Sequence, residues 1–147
     1  MYEEFIDDEQ MGDIGSTQRF NDDFLAPDET GLNGEERSAI EALPSASALL
    51  IVQRGPNEGA RFLLDQDVTT VGRHPNADIF LDDVTVSRRH AEFRRNGNKF
   101  MVNDLASLNG TYFDGVRIDS ALLDDGAEVQ IGKYKFTFFA SRADLEN

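Results

Sequence analysis

The sequence predicts an all-β sandwich or barrel in its C-terminal part, preceded by an acidic tail that is mostly disordered. From Ala48 onward the chain breaks into short runs rich in β-branched and aromatic residues. Turn signals separate the runs, and helical periodicity is absent, a pattern that many short strands with regular turns produce. The charge divides at the same place. Residues 1–45 hold 13 Asp and Glu against Arg19 and Arg37, a net of −11, while residues 46–147 hold 15 acids against 12 bases, a net of −3.

Residues 1–45 scatter Phe5, Ile6, Met11, Phe20, Phe24 and Leu25 among acids, with Pro27, Gly31 and Gly34 as breakers. Such a segment buries too little apolar surface to offset its ordering entropy. One short helix is predicted over residues 35–43: Asn33 caps it, Ala39, Ile40 and Leu43 share a face, and Pro44 ends it. The strand-like runs follow as ALLIVQ, ARFLL, VTTVG, DIFL, HAEFRR, KFMVND, TYF, EVQIG and YKFTFFA, with RGPNEG, DQD, HPNA, RNGN, FDGV and LDDGA as turns between them. RNGNK, between HAEFR and KFMVN, is the clearest hairpin. There is no internal repeat.

Composition excludes several classes of function. Without cysteine there is no disulfide, thiolate metal site or thiol nucleophile, and only His74 and His90 supply imidazoles. A formal charge of −14 argues against nucleic acid as a partner, because duplex affinity comes largely from Lys and Arg on phosphates. No run approaches the roughly 20 apolar residues of a membrane span, and MYEEFIDDEQ lacks the features of a secretory signal, so a cytoplasmic protein is expected. With no apolar stripe left over once the strands are assigned, it is expected to be a monomer. Enzymatic chemistry finds no support: Asp82-Asp83 and Asp124-Asp125 are adjacent acids with nothing to pair them as acid and base, GRHPNAD lacks a Gly-rich phosphate loop, and DETGLNGEE places Leu32 where a calcium loop needs oxygen. No cofactor or metal is expected.

Three polar clusters stand between the strands: Gly72-Arg73-His74, Ser87-Arg88-Arg89-His90 and Ser107-Leu108-Asn109-Gly110-Thr111. Gly-Arg, then Ser-x-x-His, then Asn-Gly resembles the signature of forkhead-associated (FHA) domains, and the likeness covers about residues 47–141. It implies a sandwich of two antiparallel or mixed sheets with about eleven short strands that binds phosphothreonine without catalysis. A phosphothreonine carries roughly −1.5 to −2 charge and three strong acceptor oxygens, and the planar fork of Arg can meet two of them at once. The resemblance implies that Arg73, Ser87 and Arg88 hold the phosphate, that Leu108 or its neighbour Ser107 adds a loop contact, and that Asn109 bonds the peptide backbone. His90 is expected to fix the loop bearing Ser87, Gly72 and Gly110 to supply backbone conformations that a side chain forbids, and Arg89, Arg94 and Arg95 to be solvated. Thr85 matches a position that tunes preference for the third residue after the phosphothreonine.

LLIVQRGPNEGARFLLDQ and GRHPNADIFLDDVTVSRRHAEFR further resemble a group of small actinobacterial FHA regulators of glutamate and 2-oxoglutarate metabolism. In that group an N-terminal Glu-Thr-Thr-Ser-x-Phe is phosphorylated by Ser/Thr kinases and then bound by the same molecule's domain. The matching text here is Gly15-Ser16-Thr17-Gln18-Arg19-Phe20, which retains Thr17 and Phe20. Thr17 is therefore the expected phosphosite and self-ligand, ahead of Ser16. The expected layout is a regulatory tail at residues 1–46, the FHA domain at 47–141 and a C-terminal tail at 142–147. The resemblance implies a switch: the open form binds the E1 component of 2-oxoglutarate dehydrogenase and glutamate dehydrogenase, inhibiting both, and glutamate synthase, stimulating it, until Thr17 phosphorylation closes the molecule. The alternative is an adaptor that binds phosphothreonine proteins in trans.

Overall fold

The computed structural model describes residues 32–145. The chain enters through helix α1 (Gly34–Glu41), begun by reciprocal bonds in which Asn33 Oδ1 accepts from the Glu36 N–H at 2.7 Å and Glu36 Oε1 accepts from the Asn33 N–H at 3.2 Å. α1 stops two residues short of the predicted Leu43. The ring of Pro44 disfavours helical geometry at the residue before it, and Leu43 instead closes a tight turn onto the Ile40 carbonyl at 3.1 Å.

Eleven strands follow: β1 (Ala48–Arg54), β2 (Arg61–Leu64), β3 (Val68–Gly72), β4 (Ile79–Phe80), β5 (Ala91–Asn96), β6 (Lys99–Asp104), β7 (Thr111–Phe113), β8 (Val116–Ile118), β9 (Ser120–Leu123), β10 (Glu128–Ile131) and β11 (Tyr134–Ala140). They form a six-stranded sheet in the order β2-β1-β11-β10-β7-β8 and a five-stranded sheet in the order β4-β3-β5-β6-β9. The β3–β4 pair is parallel and the other registered pairs are antiparallel, so the expected mixed sandwich is the observed fold.

Alternation along each strand sends one row of side chains between the sheets. Leu50, Val52, Val129, Ile131, Phe136 and Phe138 meet Val71, Phe93, Phe100, Val102 and Leu123 there. Phe100 of β6 and Phe138 of β11 join the two sheets with ring centroids 5.6 Å apart. β1 departs from simple alternation: Leu49 and Ile51 on its other face are buried as well, as is Phe139, the register partner of Leu49. That double burial explains why ALLIVQ reads as an unbroken apolar run.

Two strands, β8 and β9, were not among the predicted runs. β7 and β8 join through Asp114 (φ 48°) and Gly115 (φ 88°), the two left-handed residues that a tight hairpin of matching twist requires. FDGV is therefore the last residue of β7, the two turn residues and the first residue of β8.

The compact unit that holds the sandwich begins at Ile40, and the segment just before β1 is bonded to it. Leu43 O accepts from Ser141 Oγ at 2.9 Å, Ser45 Oγ donates to Asp144 Oδ1 at 2.6 Å, the Ala46 N–H donates to Asp144 Oδ2 at 2.8 Å, and Ala46 O accepts from Arg95 Nη1 at 2.9 Å. The bond from Ser45 is the main cause that holds the Asp144 carboxyl below its ordinary value. Residues 142–144 close this clasp as a 3-10 turn. It sits where β1 begins and β11 ends, since Ala48 pairs with Ala140.

Phe138→Ala should cost about 3–5 kcal/mol, because it removes the ring that meets Phe100 in a fully buried layer. Urea unfolding followed by circular dichroism checks this; a loss under about 1 kcal/mol would show that the inter-sheet layer repacks freely.

Candidate functional site

All three polar clusters meet at the end of the sandwich opposite the clasp. β3 ends at Gly72, and the segment preceding β5 crosses directly against it: the Arg73 N–H donates to Ser87 O at 3.0 Å and the His90 N–H donates to Val71 O at 3.0 Å. A Cβ on Gly72 would lie 2.0 Å from the Arg88 carbonyl oxygen, so only glycine admits this crossing. Gly72 has ordinary φ, and its requirement is space. Gly110 differs, with φ +89°.

Arg73 is anchored by one edge of its guanidinium, with Nε donating to Val86 O at 3.0 Å. Among the described residues no carboxylate lies within ion-pair distance of Arg73 or Arg88. Ser87 Oγ accepts from the Leu108 N–H at 2.9 Å, which orients the hydroxyl and leaves its proton to be donated outward. Asn109 Nδ2 donates to Thr85 O at 3.0 Å, leaving Oδ1 as an acceptor.

The two candidates for the loop contact separate. Leu108 is 84% exposed at the tip of its loop. Ser107 is buried: its Oγ donates to Asp104 Oδ1 at 2.5 Å and accepts from the Gly110 N–H at 2.9 Å. Its single proton is therefore committed inside the protein, and its role is to shape the loop.

His90 has no exposed surface. Nδ1 accepts from the Ser87 N–H at 3.0 Å, so the ring proton resides on Nε2, which donates to Gly110 O at 2.9 Å. One imidazole thereby ties the Ser87 loop to the Asn109 loop. Burial pushes its pKa below the ordinary 6.5, outweighing the opposite pull of the Gly110 carbonyl and the Asp104 charge.

Two supports were not anticipated. Asp104 accepts from the Ser107 N–H at 3.1 Å, from Ser107 Oγ and, at 2.7 Å, from Thr111 Oγ1. Burial pushes its carboxyl up, but these bonds outweigh it and hold the group below the usual carboxylate value. The other support is a latch between Thr85 and the β10–β11 turn. Thr85 Oγ1 accepts from the Lys133 N–H at 2.9 Å and donates to Asp83 Oδ2, and a Cβ on Gly132 would lie 2.4 Å from that hydroxyl. The Thr85 hydroxyl is the main cause that lowers the Asp83 pKa. Asp83-x-Thr85, where Asp83 Oδ2 also accepts from the Thr85 N–H, is an Asx turn legible in sequence. Its partner Lys133, 48 residues away, is not.

Two guanidinium groups without internal acids, a serine proton and an amide on one rigid rim can receive a tetrahedral dianion and the backbone beside it. The fold and this rim define a binding module with an anion-receiving loop pole. The family model for the FHA domain matches residues 69–132, which include every cluster just described. The glycogen accumulation regulator GarA of Mycolicibacterium smegmatis is 57% identical over 129 residues, covering 85% of this chain and 81% of that protein. The oxoglutarate dehydrogenase inhibitor of Corynebacterium jeikeium is 54% identical over 126 residues, covering 85% of this chain and 88% of that one. Among solved structures, Mycobacterium tuberculosis EmbR in complex with low affinity phosphopeptide superposes with a TM-score of 0.60 at 34% identity, over 65% of this chain and 24% of that longer one. The chain belongs to the FHA family: it is a phosphothreonine-binding regulator and not an enzyme.

Because the folded pKa of His90 lies below 6.5, the unfolded chain binds more protons in the window between the two values. The contribution of His90 to stability should therefore be complete above 6.5 and fall as pH drops below it. Unfolding free energies from urea midpoints between pH 5 and 8 check this, and His90→Gln should flatten the slope. Gly72→Ala should cost about 1–3 kcal/mol from overpacking against Arg88 O, with amide shifts in Arg73 and Ser87 as its signature.

Proposed function

We propose that the loop pole is the phosphothreonine site and that the chain is a switch controlled by phosphorylation of its own Thr17. The observation that carries the reading is the pair of arginines, Arg73 and Arg88, without an acid partner among the described residues, beside a Ser87 hydroxyl whose oxygen accepts from the Leu108 N–H and whose proton is given to no other described group. In this reading Arg73, Ser87 and Arg88 hold the phosphate, Leu108 adds a contact from its loop, Asn109 bonds the peptide backbone, and Ser107 acts from inside. Residues 47–141 form the reading domain and residues 1–46 the regulatory tail.

Thr17 and Ser16 lie outside the described residues. The reach between Thr17 and the pole nevertheless follows from the clasp. About 26 residues separate Thr17 from Leu43, the first clasped residue, and a flexible chain of that length spans roughly 30 Å. The seven-residue β1, at about 3.3 Å per residue, runs roughly 23 Å from the clasp toward the loops. A tether whose mean span matches that distance supplies an effective concentration of about millimolar.

A Ser/Thr kinase would act on Thr17, and the open form would bind metabolic enzymes through the same pole. The relatives' names support 2-oxoglutarate dehydrogenase as a target to be inhibited. Inhibition of glutamate dehydrogenase and stimulation of glutamate synthase extend the reading through the resemblance of the domain and tail; a cytoplasmic setting extends it from the sequence, which shows neither an apolar span nor the features of a secretory signal. No helix among the described residues is long and apolar enough to cross a membrane.

Kinase treatment of the full chain, with mass measurement and NMR, tests the switch. One phosphate on Thr17 should move the amide signals of Arg73, Ser87 and Asn109, and Thr17→Ala should abolish the change; unmoved signals would sink self-recognition. Arg73→Ala should weaken a Thr17 phosphopeptide by about tenfold to a hundredfold, the worth of one charged hydrogen-bonding group.

A further inference from the structure

The anion-receiving rim has a groove on either side, and the two differ in lining. One, of about 420 Å³, lies between Asn109 and the Gly132-Lys133 turn. Of its lining residues only Lys133 is a cation, and it faces Asp83 at 3.7 Å. The exposed guanidinium of Arg117 packs against Gly110 at its edge, so this side offers a downstream residue no acid-free apolar pocket of the kind found on the other. The other, of about 260 Å³, is lined by the partly exposed Ala77 and Leu105, by Thr70, His74 and Asn76, and bordered by Arg88 and Arg89. Both arginines are exposed and neither forms an ion pair among the described residues; the carboxyl of Glu92, the acid on which Arg89 acts, is engaged by Arg94 and only further lowered by the charge of Arg89. A ligand that fits the second groove therefore combines an aliphatic side chain with a neighbouring acid.

The text around Thr17 is asymmetric in the same sense. Residues 1–16 hold six acids and no base, with Asp13 and Ile14 adjacent, four and three residues before Thr17. Downstream, Arg19 follows within two residues. Arg19 would meet like charge beside Arg88 and Arg89, whereas Asp13 would meet opposite charge.

We infer that the Ala77–Leu105 groove is a second specificity site that takes the aliphatic and acidic residues preceding the phosphothreonine, here Ile14 against Leu105 and Ala77 and Asp13 against Arg89. This rests on the reading of Thr17 as ligand. It sets the polarity of the bound segment: residues before the phosphate run past Arg88 and Arg89, and residues after it run past Asn109 toward Gly132. Selection is then made on both sides of the phosphate, and peptides without an acid four residues upstream are discriminated against even when their phosphate is intact.

Calorimetric titration of the unphosphorylated full chain with a peptide of residues 9–24, phosphorylated on Thr17, tests the inference. Replacing Asp13 by Asn in the peptide should weaken binding about threefold to tenfold, the range of a partly exposed charge pair, and the effect should vanish against Arg89→Gln protein. Replacing Ile14 by Ser should weaken binding on both proteins. A nitroxide on the peptide's N-terminus should broaden the amides of Ala77, Arg89 and Leu105, and one on its C-terminus those of Gly132 and Lys133. Tight binding that ignores residues 13 and 14, or a reversed broadening pattern, would overturn this inference and leave the Thr17 reading standing. No binding of the phosphopeptide at all would overturn both.

Discussion

A buried, neutral imidazole accepts from the backbone at Ser87 and donates to the backbone at Gly110, and that short span holds two loops in one geometry. Each loop brings a different part of the rim: the first carries Ser87 and Arg88, the second Leu108 and Asn109. A third loop, carrying Arg73, joins them because Gly72 lets the Arg88 carbonyl approach closer than any Cβ permits. The rim is thus assembled before any ligand arrives. Because Arg73, Ser87 and Asn109 are already held by bonds to neighbouring backbone, those side chains have little entropy left to lose on binding.

The sandwich beneath supplies the rigidity on which this depends. Phenylalanines from both sheets fill the layer between them, and the strands that end at the loop pole, β3, β5 and β6, are adjacent in one sheet. Asp104 stands at the end of β6 and collects the hydroxyls of Ser107 and Thr111, so the third cluster is braced from below. The latch from Thr85 to the β10–β11 turn ties the rim to the opposite sheet. Electrostatically the pole is poised: Asp83 and Asp104 are engaged with hydroxyls, amides or Lys133, while Arg73, Arg88 and Arg89 form no ion pairs among the described residues. Local charge of this kind steers an anion even on a chain whose net charge is −14.

Much of this was legible in the sequence because the signals are local. Alternating runs and turn residues mark nine of the strands, and the spacing within each polar cluster marks the rim. β8 escaped because its three residues are mostly exposed and give no alternation to detect, and β9 because SALL has neither β-branched nor aromatic residues. The inward turn of Ser107 was illegible for a different reason: whether a loop hydroxyl faces ligand or core depends on Asp104 and on the left-handed backbone of Ala106 (φ 59°), and composition reports neither. The early end of α1 was legible in principle, since Pro44 constrains the residue before it.

The clasp has a practical corollary. Since the Ser45-Ala46 segment and the 3-10 turn at Arg142–Asp144 are bonded to each other at the pole remote from the loops, both chain directions leave the sandwich on one side. A dye, a solid support or a fused second protein placed beyond Asp144 would hang from the back of the molecule, with the reading face pointed at the sample. That geometry suits the domain to use as an oriented capture reagent.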